Sequence, residues 1–258
     1  MLPKNKTLLW ISIGLNILFI ALGITFTIRR GGISYLVRKL PFLETPSQKN
    51  SNRAKEHPRQ NTYRSTYYQM RHSIFKILPD SEGEILLLGD SLTDQGEWQE
   101  LFKNVNIKNR GINGETTDGI IERINEILET KPQKIFLMIG VNDFWNESKT
   151  IPMVVNNYRI ILNAIKKNAP TTQVFVQSIL PVNPDRYKIK LENKKIEAFN
   201  DRLKILAKKF SYQYVDLYSH FLDEKKQLSP RYTLDGVHLN GEGYLLWKKL
   251  IEKYIYSE

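Results

Sequence analysis

The chain has no cysteine among its 258 residues, which excludes disulfides, thiol catalysis and cysteine-bound zinc. The redox compartment stays open, because a cysteine-free chain tolerates either state. No His-Glu-x-x-His spacing or similar metal-ligand pattern occurs, so no metal is expected. There is no Walker-type glycine-rich loop ending in Lys-Ser/Thr, and Gly111-x-x-Gly114 is too short for a dinucleotide fingerprint, so no organic cofactor is expected. The Gly-x-Ser-x-Gly nucleophile elbow is missing as well, because position 93 is Thr. Internal repeats and low-complexity tracts are absent.

Charge is missing from one long stretch. Thr7 to Ile28 carries none. At ~1.5 Å per helical residue this span reaches ~33 Å, enough for a bilayer core of ~30 Å. Two readings compete. A cleaved signal peptide needs a short apolar core and a small-residue site, for which Ala21-Leu22-Gly23 is a weak candidate. Apolar sequence continues past that site to Ile28 and then meets Arg29-Arg30, which favours an uncleaved anchor. The net charge of +11 is concentrated beside this span: residues 1–60 carry a net +8, the remainder only +3. A membrane surface explains that asymmetry better than nucleic acid does, so no nucleic-acid partner is expected. The bases behind the span outnumber Lys4 and Lys6 before it, which by itself points to a cytoplasmic C-terminal domain.

Glu44 to Thr62 is polar, holds Pro46 and Pro58, lacks large aliphatic residues and reads as a linker, with His57 a solvated member of it. The expected organisation is an anchor over 1–30, a basic juxtamembrane segment and linker over 31–62, and a folded domain over 63–258. Hydrophobic residues at 41% and charged residues at 25% allow a core. After a helical pattern from Tyr63 to Leu78, strands and helices alternate. Apolar runs predict strands over Glu84–Leu88, Val105–Asn109, Lys134–Ile139, Gln173–Ile179 and Tyr212–Leu217. Helices are predicted over about Gly96–Lys103, Thr116–Glu129, Pro152–Asn168, Tyr187–Phe210 and Glu242–Tyr254. Strands separated by such helices are parallel with right-handed crossovers, giving an α/β fold: a three-layer αβα sandwich around a five-stranded parallel sheet.

The carboxyl edge of that sheet collects the informative residues. Gly89-Asp90-Ser91-Leu92 follows the first strand, Gly111-Ile112-Asn113-Gly114 the second, Gly140-Val141-Asn142-Asp143 the third, and Asp235-Gly236-Val237-His238 the last. Open α/β sheets bind ligands at this edge. A serine hydroxyl is a poor nucleophile unless an imidazole takes its proton and a carboxylate orients that imidazole, and Ser91, His238 and Asp235 supply the three groups. A Ser91 N–H near a helix start is ready to face an anion.

These four segments, in this order, resemble the SGNH hydrolase (GDSL esterase/lipase) family, in the bacterial branch resembling platelet-activating-factor acetylhydrolase catalytic subunits and lysophospholipase-like esterases. The resemblance covers about residues 73–255 and leaves the anchor and linker outside. It implies a flavodoxin-like SGNH fold and a serine nucleophile at Ser91. It implies an imidazole base at His238, oriented by Asp235, and an oxyanion hole from the backbone N–H groups of Ser91 and Gly114 and the Asn142 amide. The bland readings are an N-cap role for Ser91, a surface histidine at 238 and turn roles for Asn142 and Gly114, with Gly111 a competing donor. Asp90 and Asp143 are expected to support their turns, Arg110 to form a structural ion pair or, as the second reading, to meet an acidic substrate group, and Trp98 to pack in the core.

The expectation is a membrane-anchored serine esterase acting on a lysophospholipid-like or short-acyl ester through an acyl-enzyme. The alternatives are an O-acetyl esterase or acyltransferase on envelope polysaccharide and, from another class, an inactive binding module on the same fold. The expected substrates of such an enzyme lie outside the cytoplasm, against the charge bias, and tip the expected location of the domain to the extracytoplasmic side.

Overall fold

The computed structural model describes Thr25 and residues 64–145, 148–186 and 191–257. The anchor expected over 7–28 falls, Thr25 aside, outside the described residues, as does the linker up to Tyr63. Among the described residues no helix is long and apolar enough to cross a membrane.

The elements run α1 (Thr66–Phe75), β1 (Ile85–Gly89), α2 (Ser91–Asp94), α3 (Trp98–Phe102), β2 (Ile107–Gly111), α4 (Thr117–Glu129), β3 (Lys134–Met138), α5 (Val141–Trp145), α6 (Ile151–Asn168), β4 (Gln173–Gln177), α7 (Asn193–Phe210), β5 (Gln213–Val215), a 3-10 turn (Tyr218–Phe221) and α8 (Gly241–Ile255). The strands form one sheet in the order β2-β1-β3-β4-β5, every pair parallel. All five residues of β1 and of β3 are buried, as befits strands covered by helices on both faces.

Side chains alternate across the strands and so feed two separate interiors. On one face α4, α6 and α7 pack together. Ile120, Ile124, Ile127 and Leu128 of α4 are buried at helical spacing, and Tyr158 and Phe199 meet edge to face at 5.8 Å. On the other face α3 and α8 meet through Trp98 and Trp247 at 4.8 Å, while Phe136 stacks on Phe175 at 4.4 Å and Phe175 touches Tyr254 at 5.2 Å. Trp98 is thus core, as expected. Each such aromatic buries about 150–250 Å², which makes these layers the main source of stability.

Two charged side chains are spent on the scaffold. Lys134, at the start of β3, is buried and donates to the carbonyls of Tyr254 (2.9 Å), Ile255 (3.1 Å) and Ser257, capping the C-terminal end of α8, where a cation is favoured. Arg123, within the apolar stripe of α4, pairs with Glu115 through two bonds of 2.7 and 2.6 Å and donates to the Arg110 carbonyl at 2.7 Å.

The fold follows the expected strand and helix sequence, with shifts at its edges. Strand β2 starts at Ile107 rather than Val105, which is 76% exposed in the turn before it. A four-residue helix begins directly at Ser91, ahead of the one expected over Gly96–Lys103, and Asp90 is its N-cap.

Candidate active site

Ser91 is the first residue of α2, a helix of only four residues at the carboxyl end of β1. The chain turns there because Asp90 caps the helix, its Oδ1 accepting from Leu92 N at 3.1 Å. The turn is also tight because two glycines let the backbone approach. A Cβ on Gly89 would come within 2.3 Å of the Met138 carbonyl oxygen and 2.4 Å of Thr93 Oγ1, and one on Gly111 within 2.2 Å of Asp94 N. No other residue fits at either position without moving α2. The helix is further fixed from the opposite layer, where Tyr244 Oη donates to Leu92 O at 2.8 Å and Trp98 Nε1 to Thr93 O at 2.7 Å.

His238 reaches Ser91 from a loop 147 residues away. Its Nε2 lies 3.1 Å from Ser91 Oγ, and its Nδ1 lies 2.7 Å from Asp235 Oδ2. Gly236 makes the loop possible. It has φ 88°, and a Cβ there would meet the Asn183 carbonyl oxygen at 2.5 Å. Its N–H donates to Thr233 Oγ1 at 2.8 Å and its carbonyl accepts from Asn183 N at 2.8 Å. Asp235 Oδ1 accepts from the backbone N–H groups of Val237 (2.9 Å) and His238 (2.8 Å). Partial burial alone would raise the Asp235 carboxyl, but the His238 ring and those two N–H groups outweigh it and hold it below the usual range. Side chains of His238 and Asp235 are 34% and 44% exposed, so the imidazole edge is open to a ligand from solvent.

The other two predicted residues lie at neighbouring strand ends. Gly114 has φ 78° in the turn after β2, and Asn142 is buried in α5 after β3. Asn142 Nδ2 donates to the Glu115 carbonyl at 2.9 Å, which orients its amide. The N–H groups of Ser91 and Gly114 have no protein acceptor among the described residues, whereas Gly111 N donates to Asn109 Oδ1 at 2.9 Å. Gly111 is therefore a packing glycine, and its N–H is already engaged.

Three buried carboxyls surround this turn. Burial pushes Asp90 up to about 7, with Glu115 and Asp143 adding to the rise against the Leu92 N–H. Burial likewise raises Glu115 to about 7, against the pull of Arg123. Asp143 is raised by burial while Thr117 and Lys149 oppose. Asp143 does more than support its own turn: it accepts from Thr117 N (2.9 Å) and Thr117 Oγ1 (2.6 Å) at the start of α4 and from Lys149 Nζ at 2.9 Å. The Glu115–Arg123 pair that backs the Asn142 amide is absent from the sequence reading. A base inside the Ile120–Ile124–Ile127 stripe was the signal for it. Arg110 departs from expectation, since no carboxylate lies within 4.0 Å of it among the described residues. Among the described residues no group of acids and histidines is placed to hold a metal.

A small cavity adjoins the turn, lined by Asp90, Leu92, Met138, Val141, Ile179, Leu180, Pro181, Val182 and Val237, with a volume of about 10 Å³. Leu92, Val141 and Val237 are the direct neighbours of Ser91, Asn142 and His238.

A family model described as GDSL-like lipase/acylhydrolase matches residues 87–246. Platelet-activating factor acetylhydrolase IB subunit alpha2 of Rattus norvegicus is 29% identical over 185 residues, 69% of this chain and 78% of the relative. Of solved structures, a protein from Streptococcus pneumonia is 29% identical with a TM-score of 0.65, covering 81% of this chain and 98% of its own. A GDSL-like lipase from Bacteroides thetaiotaomicron is 28% identical with a TM-score of 0.64, covering 73% of this chain and 96% of its own.

Proposed function

We propose that this chain, which belongs to the GDSL-like lipase/acylhydrolase family, cleaves short-acyl esters with Ser91 as nucleophile. The observation that carries this reading is the contact of His238 Nε2 with Ser91 Oγ at 3.1 Å while Asp235 holds the far ring nitrogen at 2.7 Å. Ser91 Oγ attacks the ester carbonyl carbon as its proton passes to His238 Nε2. The oxyanion that forms takes the N–H groups of Ser91 and Gly114 and the second N–H of the Asn142 amide. As the C–O bond breaks, the imidazolium returns its proton to the leaving alcohol. Water then attacks the acyl-serine as His238 accepts its proton, and the imidazolium passes that proton to Ser91 Oγ as the acyl–oxygen bond breaks and the acid departs.

A short acyl group is supported by the small cavity beside the turn, whose volume of about 10 Å³ is roughly that of a single water-sized sphere and whose walls include the sequence neighbours of Ser91, Asn142 and His238; a methyl suits it better than a fatty chain. An acetyl ester of a phospholipid-like alcohol is the first choice. An acetyl group on an envelope polysaccharide presents the same methyl and is the second reading that this cavity favours. Residues 7–28, as a membrane tether, would concentrate the domain on surface-bound substrate.

A fluorophosphonate probe should label Ser91, and Ser91→Ala should abolish labelling and lower kcat by ~10⁴–10⁶-fold with the fold intact. In a series of p-nitrophenyl esters, kcat/KM should be highest for acetate and fall steeply by octanoate. Labelling without turnover would favour a binding module. Octanoate preferred over acetate would sink the short-acyl assignment.

A further inference from the structure

Arg110 has no part in the chemistry at Ser91. It ends up 7% exposed at the carboxyl end of β2. Burying a guanidinium strips hydration that a carboxylate usually replaces. Here, among the described residues, its one hydrogen bond runs from Nη1 to the Asn109 carbonyl at 3.3 Å. Arg71 shares the deficit: its Nη2 meets Asp94 Oδ1 at 3.1 Å, but its Nε is buried without an acceptor. Both guanidiniums lie against the ring of Phe75, at 4.8 Å for Arg71 and 5.2 Å for Arg110, with Arg123 at 5.7 Å. The ring attracts each cation. Yet three like charges share it, and while Arg123 is matched by Glu115 and Arg71 by Asp94, both with buried carboxylates, Arg110 has none in contact among the described residues. Burial weakens the hold of Arg110 on its proton, and Arg123 and Arg71 weaken it further, while Glu84 and Asp80 act in the opposite sense from beyond contact.

Arg71, Arg110 and Lys108 line one crevice of about 620 Å³, walled by Phe75 and Trp98. None of Ser91, Gly114, Asn142, Asp235 or His238 lines it. Asp94, Glu97 and Glu100 also face it, but Asp94 is taken by Arg71 and by Tyr67 Oη (2.6 Å), and Glu97 and Glu100 are exposed.

We propose that this crevice is a binding site for a phosphate group, held by Arg110 and Arg71 with Lys108 at its side. A carboxylate fills one guanidinium fork with its two oxygens. Donors from three side chains match the larger oxygen set of a tetrahedral oxyanion. The volume beyond the phosphate leaves room for an organic substituent against Phe75. The same chemistry would take free phosphate or the headgroup of a phospholipid.

Calorimetric titration of the full chain in nonionic detergent tests this, with inorganic phosphate in one arm and glycerophosphoglycerol, a water-soluble phospholipid headgroup, in the other. Sodium acetate serves as control. At least one phosphate probe should bind saturably and acetate should not. Arg110→Gln should weaken that binding by about 10- to 100-fold, with Arg110→Lys in between. Binding of inorganic phosphate assigns the free anion, and binding of glycerophosphoglycerol alone assigns the headgroup. Circular dichroism checks folding; if Arg110→Gln unfolds, Arg110→Lys and Lys108→Gln carry the comparison. Absence of saturable binding in both arms, or binding unchanged in every folded variant, would overturn the proposal. The readout is binding alone and stands apart from ester hydrolysis at Ser91.

Discussion

Asp235 divides its two oxygens between two tasks. Oδ2 takes the imidazole, and Oδ1 takes the backbone N–H groups of Val237 and His238, which fold the loop that presents that imidazole. Because its carboxyl is held below the usual range, its stabilising contribution is present at neutral pH and fades only on acidification. Asn142 is fixed in the same economical way, one amide N–H on the Glu115 carbonyl at 2.9 Å. The Glu115 side chain is held in turn by Arg123. An amide so oriented meets the charge that develops on the ester oxygen with no reorganisation of its own. Asn142→Ala should therefore lower kcat by ~10²–10³-fold and leave KM nearly unchanged. Steady-state kinetics on p-nitrophenyl acetate read the two apart, and a pure rise in KM would make Asn142 a residue that only positions substrate.

Helix α2 is too short to be stable alone, so its geometry is imposed by what surrounds it. Asp90 is the plainest case. Native Asp90, raised to about 7 by burial, keeps a proton that the unfolded chain gives up. Stability therefore falls as pH rises from about 4 to about 7, and the loss is complete above that window. Asp90→Asn keeps an acceptor for Leu92 N but cannot ionise. It should flatten the wild-type decline and gain on the order of 2–4 kcal/mol relative to wild type at about pH 8; denaturant melts across pH measure this, and parallel curves for the two proteins would refute it. On the far side of α2, Gly111→Ala would drive a methyl to 2.2 Å from Asp94 N, a backbone atom that cannot swing aside. About 1–3 kcal/mol of stability should be lost, with activity lost beyond what the unfolded fraction explains, because α2 carries Ser91. An unshifted melting curve would show that the strand end yields instead. Why α2 is not legible in the sequence is also an element-scale matter. Four or five residues, as in α2 and α5, are too few to show a helical period, whereas β1 and β3 announce themselves as apolar runs because both faces are covered. Strand β2 has charged and polar residues at Lys108, Asn109 and Arg110, since it lies at the sheet edge, and the exposed Val105 drew the expected strand two residues too early.

At the scale of the whole molecule, the four site segments were legible because each sits at a strand end and a parallel α/β sheet gathers those ends on one edge. The supports behind them were not legible: Arg123, Glu115 and Lys134 are charged residues that a sequence reads as surface, and only the assembled layers bury them. The described residues hold the whole sheet, both helical layers and every predicted site residue. The uncharged stretch Thr7–Ile28 and the polar segment Glu44–Thr62 precede those residues in the sequence. A chain starting near Thr62 should then stay in the supernatant with its ester hydrolysis intact, while the full chain sediments with membranes. Sidedness sets two physical arguments against each other. Lys4 and Lys6 stand before the span, with Arg29, Arg30, Arg38 and Lys39 behind it, and that bias alone would keep the domain in the cytoplasm. Acetylated lipids and envelope glycans, the substrates proposed for Ser91, are reached from the outer side, and a domain behind an N-terminal span is delivered there when Lys4 and Lys6 act as the positive end of a signal anchor. The second argument prevails if the enzyme acts on such substrates. Protease added to spheroplasts should then destroy a C-terminal tag. Survival of the tag until the membrane is broken would place the domain inside, and a mature chain beginning after Gly23 would show the span to be a cleaved signal.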